Sequence, residues 1–304
     1  MSLSIQNLTV IIVSYMSDHI IHDCIKSLPN DLKILVVENS NNKSEIIKNK
    51  DNEDPVTVVD LKVNELIINR IKEKYKYTNW GILSEENVKI KSNYFDSNVD
   101  WLWVLDPLDG TKDFIQGTGN YAMHLALQYQ NVPFIGVVLI PEKDELWIAN
   151  GENVWCERRD GSLVENSISP KVSLNEMTLV TSKNHNNHIL EELIKKTCFK
   201  KVIKMGSIGC KIASIIRGES DIYISLSLPG MSAPKDWDFA APEAILKAFG
   251  GAITNLNNKE LSYNKTNFEQ RGIIVACNNR DVQKKVCAEL IAIIEKYDLY
   301  PVNS

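Results

Sequence analysis

The 304-residue chain is 44% hydrophobic and 24% charged, the balance of a globular protein with a sizeable core. A net charge of −5 without a strongly basic block argues against a nucleic-acid polymer as partner. Six scattered cysteines with no C-x-x-C pair argue against a zinc site or a disulfide framework, and the longest apolar runs, 8–13 and 134–140, are too short to span a bilayer. No basic segment precedes the first run, so a secretory signal is not expected and a cytoplasmic location is.

Residues 1–45 read as strand, helix, strand. Positions 8–14 are β-branched and apolar; Ile20, Ile21, Cys24, Ile25 and Leu28 mark one helical face; 32–37 is a second buried strand. The wording VIIVSYMSDHIIHDCIKSLPNDLKILVVENS resembles the opening of nucleotide-sugar glycosyltransferases, in which Glu38 would match an acid that holds the nucleotide. Nothing downstream continues that pattern, and no D-x-D motif follows. From residue 46 a charged, turn-rich linker leads to PVTVVD and then to a helix over 61–75, with Val63, Leu66, Ile67 and Ile71 at helical spacing. Thr57 or Asp60 would cap it. The apolar flanks of this helix exceed what one packed face requires, and the 18–28 helix is expected to cover the spare side.

A short strand over 80–83 runs into Ser84, Glu85 and Glu86, adjacent acids that read either as a solvated turn or as groups delivered to a sheet rim. The same arrangement recurs in WLWVLDPLDGTKDF (101–114). An apolar strand there ends in Asp106, Pro107 stops the ladder, and Gly110 permits a tight turn after Asp109. Two carboxylates and the Leu108 carbonyl can converge on hard cations, while the Gly110 and Thr111 N–H groups offer a seat for phosphate. An ordinary acidic turn is the competing reading.

Antiparallel strands follow over 121–129, 134–139, 145–149 and 153–157. Beyond residue 160 strands (177–181, 201–205, 221–225, 272–277) alternate with helices (189–196, 210–217, 238–249, 282–297), which indicates an α/β layer. Asp238 falls where a helix begins, so it reads as an N-cap or as a group facing a bound anion. Cys210 and His124 read as packing residues.

The motifs PVTVVD, SEEN, WVLDPLDGTKDF, GSIGCK and WDFAAPEAILKAFGG, in this order, resemble the inositol monophosphatase superfamily of magnesium-dependent, lithium-sensitive phosphatases. DPLDGTKDF and SAPKDWDFAAPE are most similar to its bacterial 3′(2′),5′-bisphosphate nucleotidases. The resemblance covers about 46–304. It implies a layered αβαβα sugar-phosphatase fold, α+β then α/β, with a glycosyltransferase-like βαβ fragment over 1–45, a metal-site half over 46–157 and a second half over 158–304 that completes the active site. In relatives a long helix stands where residues 1–45 stand here.

The resemblance further implies two magnesium ions, with a third near Glu85. Glu85, Asp106 and the Leu108 carbonyl would hold the first; Asp106, Asp109 and Asp238 would hold the second. Asp60 and Thr111 would orient the attacking water, making Asp60, Thr111 and Glu85 the catalytic set. Substrate contacts are expected from Leu108, Asp109, Gly110, Thr111, Ser207, Gly209, Lys211 and Asp238, with Lys235 a further candidate for a second phosphate; a solvated surface charge is the competing reading of each lysine. The implied activity is removal of the 3′-phosphate of adenosine 3′,5′-bisphosphate, a step of sulfur metabolism, by a monomer or homodimer acting on a small phosphorylated substrate. The alternatives are an inositol or other small sugar-phosphate phosphatase, a non-catalytic nucleotide-binding protein and, least supported, a glycosyltransferase.

Overall fold

The computed structural model describes residues 10–15, 34–39, 46–47, 56–90, 99–163, 170–183 and 188–300. Strands β1 (Val10–Tyr15) and β2 (Ile34–Asn39) pair in parallel, as the opening βαβ reading expects, and β2 lies beside the first helix described below. The helix expected between them, carrying Ile20, Ile21, Cys24, Ile25 and Leu28, lies outside the described residues. A short antiparallel pair, β3 (Ile46–Ile47) and β4 (Val56–Thr57), leads into α1 (Val58–Lys74). That helix starts three residues earlier than its apolar spacing suggests. Thr57 is its N-cap, and its third residue, Asp60, returns a bond to the Thr57 amide.

The first large sheet contains β5 (Gly81–Ser84), β6 (Trp101–Asp109), β7 (Ala122–Tyr129), β8 (Val132–Ile140), β9 (Glu145–Asn150) and β10 (Val154–Glu157). Its order is β10-β9-β8-β7-β6-β5, antiparallel except for β5 beside β6. The second contains β11 (Thr178–Ser182), β12 (Lys201–Met205), β13 (Ile222–Ser227), β14 (Ala252–Asn255) and β15 (Gly272–Cys277), in the order β12-β11-β13-β15-β14. Its first three strands are parallel and its last two antiparallel to their neighbours. Strand β14 was not read from the sequence, because AITN is four residues long and follows two helix-ending glycines.

The period-2 alternation of these strands sorts the side chains into layers. On β6, Trp103 and Leu105 pack with Val63, Ile67 and Ile71 of α1, while Leu102 and Val104 face the other way. On β15, Ile273 and Val275 pack with Val286 and Leu290 of the C-terminal helix, while Ile274 and Ala276 face inward. The short helices α2 (Glu85–Ile90) and α3 (Thr111–Gln116) follow β5 and β6, and α4 (His188–Thr197) follows β11. Between the two sheets lie α5 (Ile208–Ile216), buried at every position, and α6 (Asp236–Ala248); α7 (Arg280–Tyr297) joins α4 on the far face of the second sheet. The result is five layers, α-β-α-β-α. A helix buried at every position, as α5 is, is stable only in such a middle layer.

The middle layer is tight. Gly136 of β8 packs so closely on α6 that an added Cβ would lie 2.6 Å from the Ala241 carbonyl oxygen and 2.8 Å from the Ala244 methyl. Neither neighbour is a flexible side-chain end, so the helix itself must move. Overpacking of this kind costs about 1–3 kcal/mol. Gly136→Ala is therefore expected to lower the melting temperature by roughly 3–10 °C; an unchanged melting curve would show that α6 is not seated on β8 as described.

Candidate metal centre and active site

Strand β6 does not stop at Pro107, as its sequence suggests, but continues to Asp109 through a bulge. Asp106 pairs with His124 and Asp109 with Ala122, so three steps on β6 match two on β7. Pro107 has no N–H to offer the ladder, which makes this the tolerable place for a bulge. The extra residue reverses the alternation. Leu108 goes into the outer core with α1, and Asp109 returns to the face that carries Asp106. Two acids three apart thereby face the middle layer together.

Three other helices bring acids to the same place. Glu85 is the first residue of α2. Asp238 is the third residue of α6, not its N-cap, because that helix begins two residues earlier than its spacing suggests; its Oδ2 accepts the Lys235 amide at 2.5 Å. Asp60 occupies the equivalent position in α1. Ser84 and Asn64 bond directly, and Asn64 reaches Asn87 at 3.1 Å, which fixes α1, β5 and α2 to one another.

Asp106 is buried, 1% exposed, with Glu85, Asp109 and Asp238 close enough for their charges to act on it. Burial, then the charges of Glu85, Asp109 and Asp238, hold Asp106 well above the ordinary carboxyl range. Burial raises Glu85 and Asp238 as well, the latter with help from Asp109 and Glu85. Lys89, 2.9 Å from Glu85 and 3.0 Å from the buried Glu86, offsets part of that charge. Glu86 is thus neither a solvated turn residue nor a member of the cluster.

Asp60 is drawn up to about 6, chiefly by burial and against the hydrogen bonds from Thr57. Its Oδ2 accepts the Thr57 amide at 2.8 Å and the Thr57 hydroxyl, which leaves Oδ1 facing Thr111 Oγ1 at 3.2 Å. The same hydroxyl lies 3.0 Å from the Leu108 carbonyl oxygen. One proton therefore has two acceptors. Gly110, with φ of +88°, makes the turn between Asp109 and Thr111, and an added Cβ there would meet the Asn120 carbonyl oxygen at 2.8 Å.

Asp109 is anchored through one oxygen. Its Oδ2 accepts Ser207 Oγ at 2.7 Å, the Ile208 amide at 2.5 Å and, more weakly, the Gly209 amide at 3.4 Å, all at the start of α5. Ser207 and Gly209, expected to meet substrate, are turned onto this carboxylate. Lys211 is not a solvated charge: it is 1% exposed, bonds the Gly206 carbonyl and lies 3.2 Å from Ser182 Oγ. Lys235 is partly exposed and holds Glu269 at 3.0 Å. Cys210 is buried as expected, with Sγ 3.5 Å from the Tyr121 carbonyl oxygen.

His124 is fully buried on the face that carries Asp106, although its sequence surroundings read as packing alone. One atom each of Asp106, Asp109 and His124 lie within 4.8 Å of one another. Burial holds the imidazole below its ordinary pKa, opposed by Asp109 and by the Trp237 backbone. Its alternation with Ala122 and Ala126 was legible in the sequence; its pairing opposite Asp106 was not.

The inositol monophosphatase family model matches residues 30–297. A 3′(2′),5′-bisphosphate nucleotidase CysQ from Buchnera aphidicola is 31% identical over 214 residues, 69% of this chain and 74% of the relative. A fructose-1,6-bisphosphatase/inositol-1-monophosphatase from Thermotoga maritima is 26% identical over 71% of this chain and 77% of its own length. Among solved structures, a Thermotoga maritima IMPase superposes with a TM-score of 0.64 at 23% identity, covering 83% of this chain and 89% of that one. No helix among the described residues is long and apolar enough to cross a membrane. The match begins at residue 30, inside the glycosyltransferase-like opening, and runs through every acid of the cluster: the chain belongs to the inositol monophosphatase family.

Proposed function

We propose that this chain hydrolyses the 3′-phosphate of adenosine 3′,5′-bisphosphate, releasing AMP and inorganic phosphate. As a family member it is a metal-dependent phosphatase. The observation that carries the chemistry is the cluster of Glu85, Asp106, Asp109 and Asp238 around the β6 bulge, acids whose mutual repulsion calls for positive charge. Hard carboxylate and carbonyl oxygens fit magnesium. Glu85, Asp106 and the Leu108 carbonyl would hold one ion, and Asp106, Asp109 and Asp238 a second, with Glu85 near a third. Bound magnesium supplies Lewis acidity and offsets the charge of the phosphoryl oxygens.

The chain's own residues handle the proton. Because Thr57 occupies Asp60 Oδ2, only Oδ1 is free to take a proton passed through the Thr111 hydroxyl from an attacking water. A carboxyl drawn up to about 6 is suited to that task near neutral pH. Water oxygen bonds to phosphorus, the bond from phosphorus to the ribose 3′ oxygen breaks, and the departing 3′ alkoxide takes a proton from solvent water to become the 3′ hydroxyl of AMP. The Gly110 and Thr111 amides steady the phosphoryl oxygens. Lys235 meets the second phosphate by exchanging Glu269 for it, and Lys211 holds the Gly206 carbonyl from within α5.

The choice of nucleotide rests on the DPLDGTKDF wording and on the nucleotidase relatives. A second reading, a phosphatase of inositol or other sugar phosphates, takes support from the Thermotoga maritima relative.

Replacing Asp106 with Asn removes the acid shared by both proposed ions. Turnover is expected to fall on the order of a thousandfold or more; activity within tenfold of the parent would refute the shared-ligand role. In a substrate panel, adenosine 3′,5′-bisphosphate is expected to exceed inositol 1-phosphate in kcat/KM by about a hundredfold, since base, ribose and second phosphate add binding energy usable at the transition state. A reversed ratio moves the chain to the second reading.

A further inference from the structure

His124 has a chemical problem that its role as a packing residue does not solve. The side chain is fully buried, and neither Nδ1 nor Nε2 makes a hydrogen bond of good geometry, although the Trp237 backbone and Asp109 both act on the ring. A buried polar atom left unpaired costs about 1–3 kcal/mol, and such atoms in native proteins commonly mark a bound water or ion. Nε2 lies 3.3 Å from Asp109 Oδ2, but in a geometry that makes no hydrogen bond, and that oxygen is already occupied by Ser207 and Ile208. Gly209 comes so close that a Cβ there would stand 2.3 Å from Nε2, and the Val138 side chain crowds the same position.

We infer that His124 joins Asp106 and Asp109 as a nitrogen ligand for a borderline divalent cation, Zn²⁺ above all, at the inner edge of the carboxylate cluster. One ligand atom from each residue lies within 4.8 Å of the others, an arrangement that small side-chain shifts would close around an ion. Magnesium prefers oxygen donors and gains little from an imidazole, whereas zinc binds imidazole and carboxylate together. The site is therefore selective by ligand type. It shares Asp106 and Asp109 with the proposed magnesium ligands and rests on that reading, so zinc and magnesium compete for the centre. The class of ligand is a transition metal at trace concentration, acting as an inhibitor of the magnesium enzyme.

The test is calorimetric titration of the metal-free full chain and of His124→Asn with Zn²⁺ and, separately, with Mg²⁺. The expected result is that the substitution weakens Zn²⁺ binding at least about tenfold and leaves Mg²⁺ binding within about twofold. Equal Zn²⁺ affinity in the two proteins overturns the inference. Loss of both metals alike also overturns it, because a residue that merely orients Asp109 would weaken every ion. A second measurement needs no variant: on adding Zn²⁺ to the ¹⁵N-labelled wild type, an imidazole nitrogen resonance of His124 should move to the ligated range. No movement overturns the inference even if the variant fails to fold. Magnesium-supported phosphate release by the wild type, measured alongside, reports on the proposed function separately.

Discussion

The structure depends on the placing of several carboxylates where they repel one another. Asp106, Asp109, Glu85 and Asp238 meet at a bulge in a strand buried along most of its length. Taking such groups out of water costs several kcal/mol each unless opposite charge is supplied. The fold answers with helix starts. Asp60 and Asp238 each sit at the third position of a helix and accept the amide of its cap residue, Glu85 opens α2, and Asp109 receives the amides that open α5. Partial positive charge at those termini offsets some of the cost, typically 0.3–1 kcal/mol per group. The remainder is left for protons or cations, which is the physical reason for a metal-dependent centre here.

Much of this was legible in the sequence, and what was not shares a cause. A strand running into an acid at 101–106, the glycine turn after Asp109 and the order of later elements followed from composition and periodicity. The bulge did not, because it is a property of pairing between β6 and β7, and neither strand alone records that three steps match two. The starts of α1 and α6 were read two or three residues late for a related reason. Val58 and Val59 are β-branched and continue the strand-like PVT run, and α6 opens on Asp236, so neither first turn shows helical apolar spacing, and Asp60 and Asp238 lie within those turns. Lys211 shows the reverse error: a lysine reads as a surface charge unless its helix is known to be buried on every side.

Helix α5 links the centre to the rest of the molecule. Its first residues hold Asp109, while its body packs between the two sheets with α6, which carries Asp238. Two of the proposed ligands are thus fixed by middle-layer helices and the others by the first sheet and its helices. The site lies where these layers meet, with Asp109 of the first sheet bonded to the start of α5 across the boundary. The opening strands β1 and β2 contribute none of the acids described, although the family match reaches back to include β2.

The central claim, that the cluster is held together by cations, is tested most directly by melting temperature against pH with chelator and with magnesium. Glu85, Asp106 and Asp238 have folded pKa values above those of the unfolded chain, so the metal-free fold binds extra protons. Its stability should be greatest near pH 4–5 and fall as pH rises through the raised values, where the folded carboxyls must ionise without partners. Magnesium binds the ionised cluster, so its stabilisation should be small at pH 5 and grow steadily to pH 8. A magnesium effect independent of pH, or a metal-free protein whose stability does not decline over that window, would contradict the account.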